Sequence, residues 1–322
     1  MYLLTKTTKT ELNKVQATIA KELASEKIIQ EIYEYIFNAQ GKKTRALLCL
    51  LASKSSDIKP NNRIALASII ELLHTATLVH DDVVDESERR RGTKSVNQVW
   101  TNSYSVLMGD FIYSKAFILM VKLGIPSILD ELAKATNDIA RGEIIQLELF
   151  EKKQLLKLDD LLKVSYLKTG RLFEASAKTG AMLACKSKEE IKIFGLIGKA
   201  LGTAFQIKDD ILDYEAYGTN IGKPAFKDFR EGKITFPLYF ALQNANKKNK
   251  RFLLNNLGQS KLLKKDQNII YQIIQDDKTQ KEINALLDKY IKESLKHLDK
   301  LKNHPCYNEM LNLVNISHLR KI

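Results

Sequence analysis

Two five-residue patterns carry the chemistry of this sequence, DDVVD at 81–85 and DDILD at 209–213. Each follows a long apolar run with helical periodicity, so each reads as the end of a helix. On a helix, Asp81 faces Asp85 across an i,i+4 step and Asp82 faces Asp85 across an i,i+3 step, with Cβ atoms roughly 5–6 Å apart. Unpaired carboxylates at that spacing repel by a few tenths of a kcal/mol. Charges at the end of a buried helix also need partners. Hard divalent cations meet both needs. Mg²⁺ takes oxygen ligands, accepts a few carboxylates and completes its shell with substrate phosphates. One such motif reads equally well as an exposed acidic turn. Two copies, each ending an apolar helix, do not.

Cations gather around both clusters. Arg89, Arg90 and Arg91 follow the first, and GKKTR, with Gly41, Lys42 and Arg45, lies upstream. Lys223 and Lys233 follow the second, the latter in EGKITFP. The arginine fork suits diphosphate oxygens, whereas lysine acts as a point charge. Carboxylates for metal beside guanidiniums and ammoniums are what holding and ionising a diphosphate requires. His74, seven residues before Asp81, sits about two turns back on nearly the same helix face. His80 is read as structural.

The elements that must position these groups are helical. Runs at 64–80, 104–123 and 191–213 are apolar on nearly every face, as helices inside a larger protein are. Several such helices need others around them, so the expected fold is all-α, a single-domain bundle of more than four helices spanning 1–322. Hairpin chemistry is nearly absent. Loop signals stand at 54–62, 124–127, 217–224 and 244–250. The lysine- and asparagine-rich stretch 244–265 reads as a surface connection, and 278–303 as an amphipathic surface helix.

Composition narrows the partners. The chain has 322 residues and a formal charge of +13, which points to anionic partners. The basic residues are spread rather than striped, and no nucleic-acid reading module is present, so nucleic acid is not expected. Cys49, Cys185 and Cys306 have neither metal-type nor disulfide-framework spacing. A reducing cytoplasm is the expected compartment. The N-terminal residues do not read as a signal peptide. No run reaches the roughly 18 apolar residues of a membrane span, so at most peripheral membrane contact is expected.

In this order, GKKTR, IIELLHTATLVHDDVVDESERRRG, SVLMGDFIYSKAF, KTGRLFE at 168–174, GTAFQIKDDILDYE and GKPAFKDFREGKITFPL resemble the trans-polyprenyl diphosphate synthase family along nearly the whole chain. The resemblance implies an isoprenoid-synthase bundle around a central cavity and a chain-elongating prenyltransferase, typically homodimeric. It implies up to three Mg²⁺ held by Asp81, Asp85 and Asp209, with Asp82, Asp210 and Asp213 orienting those ligands or holding metal-bound water. It assigns Lys42, Arg45, His74 and Arg91 to isopentenyl diphosphate. It assigns Arg90, Lys168, Thr169, Gln206, Lys223 and Lys233 to the allylic diphosphate, with Lys168 also counted among the catalytic residues. Arg45 is followed by Ala46 where the family often has proline. Arg89 has no family role and is read as a surface charge.

Product length is read from the helix before the first motif. A helical turn rises 5.4 Å, on the order of one isoprene unit, so side chains one and two turns back can floor the pocket. Short-chain members carry an aromatic residue there, whereas this chain has Ala76 and Thr77. By similarity to long-chain members, Met120 and Leu132 are candidates for a deeper floor. The resemblance is strongest to members that make octaprenyl diphosphate, with farnesyl diphosphate as primer and quinone side chains as destination. A shorter-chain synthase, such as a geranylgeranyl type, is the alternative. A metal phosphohydrolase suggested by His80–Asp81 lacks the several histidine ligands such a site needs and leaves DDILD unexplained.

Overall fold

The structure is a computed structural model and describes residues 3–38, 41–55, 58–90, 92–151, 156–184, 186–218 and 226–319. Lys223, Arg91 and Cys185 fall outside those residues. In chain order the helices are α1 (Lys6–Leu23), α2 (Lys27–Asn38), α3 (Thr44–Ala52), α4 (Pro60–Val84), α5 (Val96–Val99), α6 (Asn102–Leu123), α7 (Pro126–Glu151) and α8 (Leu158–Ser165). They continue as α9 (Arg171–Leu183), α10 (Lys188–Glu215), α11 (Lys227–Arg230), α12 (Phe236–Asn244), α13 (Lys247–Asn256), α14 (Lys264–Ile274), α15 (Asp277–Leu298) and α16 (Tyr307–His318). A π-helical turn, Tyr166–Gly170, joins α8 to α9. The only strands among the described residues are β1 (Arg89–Arg90) and β2 (Thr93–Lys94), an antiparallel pair with Arg89 opposite Lys94.

Local chemistry sets several of these limits. Thr101 caps α6 by accepting from the Tyr104 N–H. Gly124 ends it in the left-handed conformation, φ 71°, which costs glycine no side-chain clash. Pro126, which can donate no N–H, then opens α7.

The chain divides into two compact units. One comprises Met1–Thr136, Leu172–Gly198 and Leu298–Asn312, the other Asn137–Arg171, Lys199–His297 and Leu313–Ile322. The core of the first gathers around α4, which packs most extensively on α6, with α3 and α1 beside it. Ile69, Ile70, Leu72, Leu73 and Ala76 of α4 meet Ile112, Ala116 and Met120 of α6 and Leu132 and Ala135 of α7 in one hydrophobic cluster. Buried Arg63 ties α4 to α1 and α3. It donates to both carboxylate oxygens of Glu11 (2.8 and 3.2 Å), to Ser53 Oγ and to the Leu50 carbonyl. A buried guanidinium is tolerable because its donors are met in this way. The core of the second unit is more aromatic: Tyr214, Phe226 and Phe229 pack with Leu238, Leu253, Ile270 and Ile274.

Two expectations change, those for 244–265 and for α6. The 244–265 stretch is not simply a connection. Asn246 accepts from the Asn249 N–H and starts α13, because a good N-cap lets a lysine-rich segment become helical. The β1–β2 pair lacks the alternation that announces a strand. By length and hydropathy α4 could cross a membrane, but 67% of its apolar window is buried inside the protein, where it serves as a core helix. Nor is α6 buried on every face, since Leu107 and Val121 are 66% and 68% exposed. Among the described residues, Cys49 and Cys306 are free buried thiols.

Candidate active site

In the first unit the site is built at the C-terminal end of α4. Asp85 caps the helix, Glu86 turns into the left-handed region at φ 47°, and the Ser87 N–H returns to the Asp82 carbonyl at 2.9 Å. This is the six-to-one closure that ends many helices. It places Asp81, Asp82 and Asp85 where the helix dipole is negative, the wrong sign for carboxylates. Such an end is favourable only with cations nearby. One is at hand: β1 folds back so that Arg90 Nε donates to both carboxylate oxygens of Asp82 at 2.8 Å. Asp82 is 2% exposed, whereas Asp81 and Asp85 remain half-buried.

Asp82 faces another side of α4 from its neighbours. It lines a cavity of about 300 Å³ with Glu71, Thr75, Leu78 and Val79 on α4, with Ile36 and Phe37 on α2, and with Arg90. His74 and Asp81 are not on that wall. His74 is instead joined to the GKKTR element, where Arg45 Nη1 lies 2.9 Å from His74 Nε2. Arginine can only donate, so His74 accepts at Nε2 and carries its proton on Nδ1. The Arg45 guanidinium also lies over the Phe173 ring, 4.6 Å from its centroid, a contact that orients it. Lys42 is exposed.

His80 works differently. It stacks on Tyr113 and lies 3.3 Å from Asp110, clamping α4 to α6. Ala76, Met120 and Leu132 are buried in the core cluster. Thr77 is half-buried, and its hydroxyl donates to the His74 carbonyl.

In the second unit, DDILD lies near the C-terminal end of α10. Asp209 is half-buried and Asp210 is buried. Gln206 Nε2 donates to Asp210 Oδ1 (2.7 Å), and the Phe236 N–H at the start of α12 donates to Oδ2 (3.4 Å). Asp213 accepts the N–H groups of Lys227 (3.1 Å) and Asp228 (3.2 Å). These neutral donors do not offset the loss of water. Burial, then the charge of Asp228, push Asp210 well above the carboxylate range and Asp213 up to about 7. Asp228 was not singled out in the sequence. Its signal was an acidic residue inside the basic stretch KPAFKDFREGK.

Lys168 and Thr169 sit in the π-helical turn, which puts an extra residue into the helix and re-aims its side chains. Gly142 of α7 presses against this turn. A Cβ there would lie 2.7 Å from Leu167 Cβ, so only glycine allows the approach. Thr169 Oγ1 donates to Gln206 Oε1 at 2.6 Å, giving a chain Thr169–Gln206–Asp210–Phe236. Lys168 pairs with Glu143 of α7 at 2.8 Å, and Lys233 pairs with Glu231 at 2.9 Å. The sequence pointed to neither glutamate.

Among the described residues no three acids, histidines or cysteines form a ready-made metal cage. The donor set still fits Mg²⁺, which is usually held by one or two carboxylates plus substrate phosphates rather than by an all-protein cage. Asp81, Asp85, Asp209 and Asp213 are half-buried oxygen donors of their motifs, and at Asp210 and Asp213 burial and the nearby Asp228 disfavour the charged form, which a bound cation would offset.

The profile of the polyprenyl synthetase family matches residues 26–275. The octaprenyl diphosphate synthase of Escherichia coli (strain K12) is 42% identical over 231 residues, 71% of each chain. The crystal structure of a decaprenyl diphosphate synthase from Rhodobacter capsulatus superposes with a TM-score of 0.90 at 31% identity, covering 98% of both chains. That of a polyprenyl synthase from Caulobacter crescentus CB15, complexed with calcium and isoprenyl diphosphate, gives 0.92 at 30% identity over 98% of this chain and 97% of that one. The all-α fold, the two aspartate-ended helices and these matches lead to one conclusion: the chain belongs to the polyprenyl synthetase family and is a prenyltransferase.

Proposed function

We propose that this prenyltransferase is a long-chain all-trans polyprenyl diphosphate synthase. It condenses isopentenyl diphosphate sequentially onto an allylic diphosphate, with farnesyl diphosphate as primer and octaprenyl diphosphate for quinone side chains as product. The observation that carries the reading is the split within each DDxxD motif, where a half-exposed leading aspartate stands beside a buried one locked by hydrogen bonds. Accessible Asp81, Asp85 and Asp209 would hold up to three Mg²⁺, and buried Asp82 and Asp210, with Asp213, keep their helix ends in place. When bound, magnesium neutralises the diphosphate leaving group as the allylic C–O bond breaks.

The residues of the chain do the rest. Lys168, Thr169, Gln206 and Lys233, with Arg90, grip the allylic diphosphate, and the Thr169–Gln206–Asp210 chain keeps the π-helical turn rigid. Arg45, held by His74 and Phe173, grips isopentenyl diphosphate together with Lys42. Arg91 and Lys223 complete the two grips. The isopentenyl double bond attacks the allylic carbon, and the released diphosphate takes the proton. The small side chains Ala76 and Thr77 leave room for the growing chain, and buried Met120 and Leu132 support a deeper floor. A second copy of the chain would cover α6, where Leu107, Phe117, Ile118 and Val121 stand exposed; water is a poor neighbour for such a face.

The test is product chromatography with radiolabelled isopentenyl diphosphate and farnesyl or geranylgeranyl diphosphate, with Mg²⁺ or with chelator. Elongation to about eight units only with metal supports the reading. Release of diphosphate without isopentenyl diphosphate sinks it. Ala76→Tyr puts a ring one turn below Asp81 and should stop the product at roughly three or four units; an unchanged length refutes the floor.

A further inference from the structure

The described cations expected on the allylic diphosphate each hold a carboxylate that is not among the expected metal ligands. Arg90 holds Asp82, Lys168 holds Glu143, and Lys233 holds Glu231. The two lysine pairs, both in the second unit, are the more telling. Their side chains are only 12–20% exposed, so each pair is shielded from water and its two charges face each other. The pairs are also built by design of the backbone. Glu143 directly follows Gly142, the residue that lets α7 touch the π-helical turn. Glu231 is held two residues from Lys233, beyond the end of α11, and also lies 3.6 Å from Lys227.

We infer that Glu143 and Glu231 are resident counter-ions, positioning residues that aim Lys168 and Lys233 before substrate binds and compete with the diphosphate for them. This rests on the reading that the two lysines hold the allylic diphosphate. A diphosphate arriving alone must displace two carboxylates or bind beside them, and like charges a few ångströms apart in a poorly solvated site repel strongly. The glutamates therefore weaken metal-free diphosphate binding, and added positive charge restores it. The same competition favours release of diphosphate once the bond has formed.

Binding of inorganic pyrophosphate, measured calorimetrically with and without Mg²⁺, tests this on wild type, Glu143→Gln, Glu231→Gln, Lys168→Ala and Lys233→Ala. Both glutamine variants keep the side-chain shape and lose only the charge. They should tighten metal-free pyrophosphate by about tenfold, the effect of roughly 1.4 kcal/mol, and shrink the gain from Mg²⁺. The KM for the allylic primer should fall in parallel without a rise in kcat, which a merely structural role would not produce. The variants lie on separate elements, so misfolding of one, read by circular dichroism, leaves the other as the test. Unchanged or weaker pyrophosphate binding in the glutamine variants, with weaker binding in the lysine variants, overturns the counter-ion role and leaves the reading of the lysines intact. Wild-type binding in both lysine variants overturns that reading, and the counter-ion role with it.

Discussion

At the end of α4, buried Asp82 receives a guanidinium; near the end of α10, buried Asp210 receives, among the described residues, an amide and a backbone N–H. The five-residue pattern is the same and the electrostatic treatment differs. Arg90 supplies a full positive charge, so the first motif carries its own compensation. The second is held by neutral dipoles, with Asp228 adding a further negative charge, and Asp210 and Asp213 are pushed upward in consequence. Hydrogen bonds to a carboxylate lower its pKa, but burial and like charge outweigh them here. A repeated motif thus fixes which oxygens are offered, whereas the surroundings decide how much charge is left for a cation to neutralise.

The largest effects should be on turnover, and they should be symmetric. Asp81→Ala and Asp209→Ala each remove an accessible oxygen donor, and each should lower kcat by roughly a thousandfold, the scale of losing a transition-state charge stabiliser. Steady-state assays that find one variant nearly active would break the equivalence of the two helix ends.

The next effects are on stability, and here the ends should diverge. Arg90→Ala removes the guanidinium that donates to both oxygens of buried Asp82, and should cost about 3 kcal/mol, at the lower end for breaking a buried pair because the arginine is partly exposed. Gln206→Ala removes only neutral hydrogen bonds and should cost about 1 kcal/mol. Urea unfolding of both variants measures the gap; equal losses would mean that the guanidinium matters no more than the amide. Smallest is the turn after the first motif. Glu86→Gly relieves a left-handed residue and should stabilise the protein by about 0.5–1 kcal/mol, read as a higher urea midpoint. A loss would show that the Glu86 side chain contributes more than its backbone strain costs.

Much of this was open to reading along the chain. The helices at 60–84, 102–123 and 188–215 follow from apolar periodicity, and both motifs fall at helix ends as that periodicity requires. The order of the basic elements identified the family. Less legible were features that depend on how the chain turns and packs. The β1–β2 pair is too short for alternation to mark it. The exposed face of α6 is invisible when every face of a helix is apolar. Glu143 carries no signature, because its pair with Lys168 depends on where two separate helices bring their side chains, and Glu231 carries none because a two-residue step to Lys233 pairs only when the chain turns there.

By itself, the sequence determined the helical class, the two aspartate motifs with their helical spacing, and the cations able to serve a diphosphate, because these depend on residue type and on the 3.6-residue period of a single helix. Only tertiary structure decided which aspartate of each motif is buried, what neutralises it, that His74 accepts from Arg45, that Lys168 sits in a π-helical turn, and that the lysines already hold carboxylates. Those outcomes rest on desolvation and on contacts that no helical period sets, and both exist only once the chain has packed.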